Sequence, residues 1–159
     1  MPLLLRTVRQ NRWFKEPAAP WLERGDVPAD PIGDLRTSQN ALSVWHVEPD
    51  RSNLERVVRA VAIGKERVDS SGWVLFDSEL LSPLGIDVVE VPGGTKDEGA
   101  KQWHRDLVNL SGNKLAALAR AIIERGESGT VQKKRLAALI DAGIRNGELP
   151  DSLRGWLDA

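Results

Sequence analysis

Cysteine is absent from this 159-residue chain, which excludes disulfide bonds, thiolate nucleophiles, and zinc or iron–sulfur sites built on cysteine. No apolar run approaches the length that spans a bilayer, and the leucines at residues 3–5 are too few for the core of a signal peptide. Histidine occurs only at His46 and His104, without the spacing that defines a metal site. We therefore expect a cytoplasmic protein with no membrane segment, no bound metal and no cofactor.

The composition is that of a folded protein, because 41% of the residues are hydrophobic and 28% are charged. A chain of this length suits one domain, and we take residues 1–159 as that domain. Its formal net charge of −1 gives no overall field that would draw it to nucleic acid or to an acidic membrane. The charge is unevenly distributed, however: residues 1–100 carry −4 and residues 101–147 carry +5.

The first part of the chain, residues 1–96, is predicted to contain a small mixed sheet. Runs of apolar and β-branched residues predict strands at 3–8, 41–47, 73–76 and 86–91. The capping pattern SNLE, with the apolar face that follows it, predicts a helix over residues 52–64. Strand, helix and strand in this order predict a right-handed βαβ unit with two parallel strands. Four prolines make residues 16–40 a long irregular connection.

The second part, residues 97–159, is predicted to be a cluster of helices. Apolar residues at helical spacing predict a first helix that includes Trp103 and Leu107. Ser111 would cap a second helix that ends before Gly126, and Thr130 would cap a third. The complete prediction is an α+β fold, in which a sheet-containing part with a βαβ unit is followed by a C-terminal helical part.

The two histidines each follow a tryptophan directly, in the dipeptides at 45–46 and 103–104. Two imidazoles could act as acid and base in metal-free RNA cleavage, with Arg105 stabilising the charge that builds on phosphorus. Strand alternation, however, places His46 on the side of its strand that we expect to be buried. We interpret His46 and His104 as structural residues beside core tryptophans and predict no catalytic residue. The paired acid–base site is the alternative.

Two common catalytic motifs are absent or incomplete. The nucleophile motif GxSxG does not occur in the chain. The glycine-containing segment GGTKDEG, at residues 93–99, lacks the full spacing and the Gly-Lys-Ser/Thr ending of a phosphate-binding P-loop. We interpret this segment as a turn before a helix.

Two basic clusters are the candidate binding residues. Arg6, Arg9 and Arg12 recur at every third position beside Trp13, and cations interleaved with aromatic residues suit phosphate contact and base stacking. The second cluster consists of Lys133, Lys134 and Arg135. It opens a predicted helix, at the end where the helix dipole disfavours positive charge, which is typical of residues kept for a partner. A solvated surface is the simpler interpretation of both clusters.

Chemistry-competent residues are scattered along the chain, which favours a binding protein over an enzyme. The six tryptophans fit this hypothesis, because tryptophan is enriched in cores and at binding hot spots. We therefore expect a small bacterial-type protein that acts by protein–protein contact, as a regulatory or neutralising subunit of the antitoxin, immunity or accessory kind. The alternative is a nucleic-acid-binding protein or metal-free ribonuclease that uses the basic helices with His46 and His104.

Overall fold

The computed structural model describes residues 2–9, 13–14 and 19–158 of the chain. These residues form a six-stranded sheet with helices on both of its faces. The strands are β1 (Leu3–Val8), β2 (Leu42–Val47), β3 (Ser71–Asp77), β4 (Asp87–Glu90), β5 (His104–Val108) and β6 (Glu127–Val131). The α-helices are α1 (Ala19–Glu23), α2 (Ala29–Asp34), α3 (Leu54–Ala62), α4 (Gly112–Arg125), α5 (Lys133–Arg145) and α6 (Leu153–Leu157). Short 3₁₀ helices occupy Ser78–Leu80, Ser82–Leu84 and Glu98–Trp103.

Helices cover each face of the sheet, so the described residues form two hydrophobic cores separated by one layer of strands. Leu4 of β1 belongs to the core beneath α4, with Leu118 of that helix. The next residue, Leu5, belongs to the core beneath α3 and α5, with Val57 of α3. Successive residues of a strand point to opposite faces, which explains why β1 is apolar without alternation.

The α+β class is confirmed, but the specific ordering of the predicted βαβ unit is not. The strands lie in the order β4-β5-β2-β1-β3-β6, and the five pairings between neighbours are all antiparallel. Strand β1 lies between β2 and β3, so α3 connects two strands that are not hydrogen-bonded to each other. Strand β1 lies in the middle of the sheet because its adjacent residues Leu4 and Leu5 point to opposite faces, and each must be covered by a layer of helices.

The C-terminal part supplies two strands as well as helices. The helix predicted around Trp103 and Leu107 is wrong: a 3₁₀ helix ends at Trp103, and the following residues form β5. Strand β5 pairs with both β2 and β4, and this pairing overrides the local helical spacing. Thr130 lies within β6 and caps no helix, since α5 begins at Lys133. In the first part, α1 and α2 interrupt the connection that was predicted to be irregular.

Other local predictions are confirmed. The predicted helix at 52–64 is α3, and the four strands predicted in the first part are β1 to β4. The Ser111 hydroxyl caps α4 by accepting a hydrogen bond from the backbone N–H of Lys114, and Gly126 follows the last residue of that helix. None of the helices in the described ranges is long and apolar enough to cross a membrane.

One end of the sheet collects the elements that matter for the site. The register pairs Val8 with Gly72 and Leu5 with Trp45, so the end of β1 lies beside the beginnings of β2 and β3. Helix α3 runs back over the sheet, and its last turn lies above the same region. At the opposite end, Leu3 and Asp77 line a separate cleft with Arg125.

Candidate functional site

A serine and a histidine contact each other on the sheet face that α3 covers. The Nε2 atom of His104 lies 2.6 Å from the Ser43 hydroxyl, and its Nδ1 atom lies 2.8 Å from the carbonyl oxygen of Val91. A carbonyl oxygen can only accept, so Nδ1 carries the ring proton and donates it to Val91. In the neutral ring, Nε2 then accepts the hydrogen bond of the Ser43 hydroxyl. His104 is thus oriented to take a proton from Ser43.

The imidazole of His104 is held in place from two sides. The Trp45 ring meets it edge to face, with 5.0 Å between the ring centroids. The backbone of Gly93 approaches both side chains closely: a Cβ atom there would lie 2.7 Å from Cη2 of Trp45 and 3.1 Å from Cβ of His104. Only glycine fits at this position without a shift of its neighbours, and its loop also carries the carbonyl of Val91.

A carboxylate lies near the same histidine. Asp106 is two residues further along β5, on the same face, and its Oδ1 atom is 3.6 Å from Nε2 of His104. The register of β2 and β5 places Asp106 directly opposite Ser43. A negative charge at this distance attracts the imidazolium that forms when His104 takes a proton.

Ser43 and His104 line a cleft of about 230 Å³ between the sheet and the end of α3. Thr95 closes one side, and its hydroxyl donates a 2.8 Å hydrogen bond to the carbonyl of Ala60 in α3. Arg6 lines the same cleft. The Ser43–His104 pair therefore faces a small cavity whose walls combine polar and cationic groups with the apolar side chains of Trp45, Ala60 and Val61.

A second cleft, of about 380 Å³, adjoins the first at Arg6, which lines both. Its walls carry three further cations, Arg9, Arg36 and Lys65, and none of these forms an ion pair with another described residue. We call the two clefts together the basic groove. Positive charge is thus concentrated at one end of a chain whose formal net charge is −1.

The carboxylate in the wall of this second cleft is already engaged. Asp34 is buried, and its Oδ2 atom accepts hydrogen bonds from Nε1 of Trp13, at 3.0 Å, and from the backbone N–H of Arg9, at 3.3 Å. The groove therefore keeps an excess of positive charge, which favours an anionic ligand.

The guanidinium of Arg6 lies between the two clefts. Its Nη1 atom donates a 2.9 Å hydrogen bond to the carbonyl of Ser43, and its Nη2 atom lies 3.4 Å from the carbonyl of Asp34. Its buried Nε atom has no hydrogen-bond partner within the described part of the chain. Burial lowers the pKa of Arg6, and the charge of Asp34 opposes that change. An arginine stays charged in proteins, so Arg6 presents a cation with donors to spare.

The structure describes only part of the N-terminal basic cluster. Arg6 and Arg9 line the basic groove, whereas Arg12 lies outside the described residues. Trp13 is 4% exposed and belongs to the core beneath α4, so the structure does not offer it for contact with a partner. Its neighbour Phe14 is the exposed aromatic residue, at 40%.

The second basic cluster lies next to the groove. Lys133, Lys134 and Arg135 are all exposed at the start of α5. The backbone N–H of Lys133 donates to the hydroxyl of Ser70, which lines the second cleft. Arg135 forms a bidentate ion pair with Glu55, so part of its charge is already balanced.

The structure does not bring the two histidines together. His46 lies on β2, and its Nε2 atom is 3.3 Å from the carboxylate of Glu48, which directly follows the strand. Strand alternation places His46 on the face opposite to Trp45 and His104. Arg105 also lies on that other face, where it donates to the carbonyl of Gln102. The paired acid–base site is therefore not formed.

A buried ion network supports the loop beneath the first cleft. Asp97 is fully buried, and its carboxylate accepts hydrogen bonds from Arg56 and Arg59 at 2.8–3.0 Å. Burial alone would raise the pKa of Asp97, but the hydrogen bonds and charges of the two arginines outweigh it and lower the pKa. Arg59 also donates to the carbonyl of Leu139, which ties α3 to α5.

Sequence reasoning missed the residues that complete the groove, namely Ser43, Arg36, Lys65 and Thr95. One signal was present, because Ser43 is the polar residue within the apolar strand ALSVW. Its partner could not be identified while His104 was placed on a helix.

No protein-family model, curated protein or solved structure matches this chain. Within the described ranges, no group of three or more His, Asp and Glu side chains could hold a metal ion. The functional conclusion therefore rests on the geometry and charge of the groove.

Proposed function

We propose that the protein binds single-stranded nucleic acid along the basic groove. The observation that carries this proposal is the convergence of Arg6, Arg9, Arg36 and Lys65 on one groove in a chain of slightly negative net charge. Phosphates are the anions that such a row of guanidinium and ammonium groups binds best. Two adjoining clefts that share one arginine suit a ligand that carries several phosphates in sequence.

An exposed aromatic residue favours a single strand over a duplex. Phe14 is 40% exposed and directly follows Trp13, whose indole is hydrogen-bonded to Asp34 in the groove wall. Unpaired bases stack on exposed aromatic side chains, whereas the bases of a duplex are already stacked on each other.

The proposal is tested by fluorescence anisotropy with a labelled single-stranded RNA of about 12 nucleotides, a length within the usual site size of such proteins. Each of three charge reversals, Arg9→Glu, Arg36→Glu and Lys65→Glu, should weaken binding at least about tenfold, since each removes a phosphate contact and adds repulsion. The matched control is Arg125→Glu, an exposed cation at the opposite end of the sheet. Equal losses in the control and the groove variants would contradict the proposal.

Protein–protein contact is the second candidate, and the edge strand β4 favours it. Among the described strands, β4 pairs only with β5, and it exposes Val88 and Val89, with Val91 just beyond. An edge of this kind can accept a further strand from a partner. Asp87 and Glu90 flank the two valines, so we propose an extended segment with alternating apolar and basic residues as the occupant. A regulatory or neutralising role in the cytoplasm would act through this edge.

A synthetic peptide that alternates valine and lysine tests this second candidate. Its binding should shift the backbone amide signals of β4 in NMR spectra and should be lost in Val89→Pro, which prevents strand addition. A peptide with glutamate in place of lysine should not bind. Equal binding of the two peptides would contradict the role of Asp87 and Glu90.

A further inference from the structure

The Ser43 and His104 side chains are oriented by more contacts than nucleic-acid binding alone would require. The Ser43 hydroxyl donates to Nε2 of His104, the opposite ring nitrogen is fixed by Val91, and the pair opens into a cleft that contains Arg6. A nucleophile, a base that is itself oriented, and a cation beside them are the components of a nucleophilic active site.

We infer that Ser43 is a nucleophile, and His104 its general base, for hydrolysis of a phosphodiester held in the basic groove. This inference rests on the proposed function for its substrate. In this site Ser43, His104 and Arg6 touch the reacting phosphate. Gly93, Trp45 and the carbonyl of Val91 are positioning residues, because they act through the imidazole of His104.

The reaction proceeds in two displacements at phosphorus. In the first, the Ser43 proton passes to Nε2 of His104, the Oγ–P bond forms, and the opposite P–O bond breaks. The departing oxygen takes a proton from solvent. In the second, water attacks phosphorus from the vacated side, loses a proton to solvent and displaces Oγ, which recovers its proton from the His104 imidazolium. The products are a phosphomonoester and an alcohol, and water is the only co-reactant.

Two groups stabilise the charges that this sequence creates. The guanidinium of Arg6 lines the cleft and donates a 2.9 Å hydrogen bond to the carbonyl of Ser43, so its positive charge lies beside the phosphoryl oxygens. Asp106 is placed to attract the imidazolium of His104 between the two steps.

The size of the first cleft limits what it can hold. Pockets that enclose a whole small-molecule ligand measure roughly 300–1,000 Å³. The cleft beside Ser43 measures about 230 Å³, which suits one phosphate with its ester oxygens better than a complete nucleotide. The rest of the strand would lie along the adjoining cleft, against Arg9, Arg36 and Lys65.

The source of the nucleophile separates this reaction from the ribonuclease alternative. A ribonuclease that activates the 2′-hydroxyl of its own substrate cannot cleave DNA. When the nucleophile is Ser43, the 2′-hydroxyl takes no part, and single-stranded DNA and RNA are both cleaved.

The first test is covalent labelling with a fluorophosphonate, followed by intact mass and peptide mapping. We expect one adduct per chain, on Ser43, and none in Ser43→Ala. His104→Gln should slow labelling by a factor of roughly 100 or more, the usual contribution of a general base. His46→Gln, on the opposite face, should label as the wild type does. The absence of an adduct on Ser43, or equal labelling in His104→Gln, would overturn the inference.

The second test follows cleavage of labelled single-stranded DNA and RNA on denaturing gels. Wild-type protein should cut both, and Ser43→Ala should cut neither. Cleavage of RNA alone, or activity retained in Ser43→Ala, would overturn the inference, as would labelling of Ser43 without cleavage of either strand. Anisotropy with Ser43→Ala separates the two proposals: if it still binds the strands, failure of cleavage leaves nucleic-acid binding intact. If the wild-type protein does not bind single-stranded nucleic acid, both proposals are wrong.

Discussion

Ser43 and His104 lie 61 residues apart in the sequence and share a 2.6 Å hydrogen bond across strands β2 and β5. The antiparallel register creates this contact, because it pairs Trp45 with His104 and Ser43 with Asp106 on one face. The same register places the other histidine, His46, on the opposite face. The chain thus has one histidine in a polar cleft and one in a structural position.

The close approach of Gly93 to His104 and Trp45 predicts a specific sensitivity to a methyl group. Gly93→Ala should lower the free energy of unfolding by about 1–3 kcal/mol, the usual cost of overpacking, because the new Cβ cannot fit between the two rings. Urea unfolding followed by tryptophan fluorescence measures this change. Gly94→Ala is the control, since a Cβ there meets no atom within 4 Å. Equal stability of the two variants would show that the loop does not hold the imidazole.

The buried carboxylate of Asp97 predicts a large loss of stability on removal of its charge. Asp97→Asn removes the 3.0 Å ion pair of the buried Arg59 guanidinium and leaves it only the 3.5 Å pair with Glu148. Breaking a buried pair on one side costs up to about 3–5 kcal/mol. Chemical denaturation provides the measurement. Glu98→Gln is the control, because that side chain is 80% exposed and its removal should cost little. Comparable losses in the two variants would contradict the account of the network.

The lowered pKa of Asp97 also predicts how stability depends on pH. The folded protein binds fewer protons than the unfolded chain once the pH nears the ordinary value of 3.8 for this carboxyl. The contribution of Asp97 is therefore complete above that value and is lost as the pH falls toward the lower folded-state pKa. Denaturation over a series of acidic pH values should show a shallower acid decline in Asp97→Asn than in the wild type. If the stability of the two proteins falls equally steeply with pH, Asp97 is not the source of the acid sensitivity.

Although Trp13 and Phe14 are neighbours, Trp13 should stabilise the fold and Phe14 should contribute to RNA binding. Trp13→Phe removes a hydrogen-bond donor to the buried carboxylate of Asp34, so stability should fall by about 1–3 kcal/mol while RNA affinity stays within a factor of about two. Phe14→Ala should leave stability unchanged and weaken RNA binding by about 1–3 kcal/mol through the loss of stacking. Denaturation and anisotropy on both variants decide the matter. A binding loss in Trp13→Phe alone would reverse the assignment.

The sequence allowed prediction of those elements whose signal is local. Strand β1 is a run of leucines, and helix α4 has its serine cap and its terminal glycine, so both were identified. Strand β5 was not, because HRDLV has no apolar alternation and most of its residues are only half-buried. Its structure depends on pairing with β2 and β4, which no local pattern records.

The candidate site was predictable only in part for the same reason. Arg6 and Arg9 were recognised from their spacing, since both belong to one basic segment. Arg36 and Lys65 join them from the segments just after α2 and α3, through the layered packing of the sheet. The Ser43 contact depends on the strand register, and a register cannot be read from one strand alone.

The central claim is that the basic groove neutralises the phosphates of a single strand, and the salt dependence of binding tests it most directly. Anisotropy titrations of single-stranded RNA between about 50 and 200 mM salt give the slope of log affinity against log salt concentration. Neutralising three or four phosphates predicts a slope of about −2 to −3, and Lys65→Ala should reduce its magnitude by about 0.7, while Arg125→Ala should leave it unchanged. A wild-type slope near zero, or an identical slope in Lys65→Ala, would contradict the account.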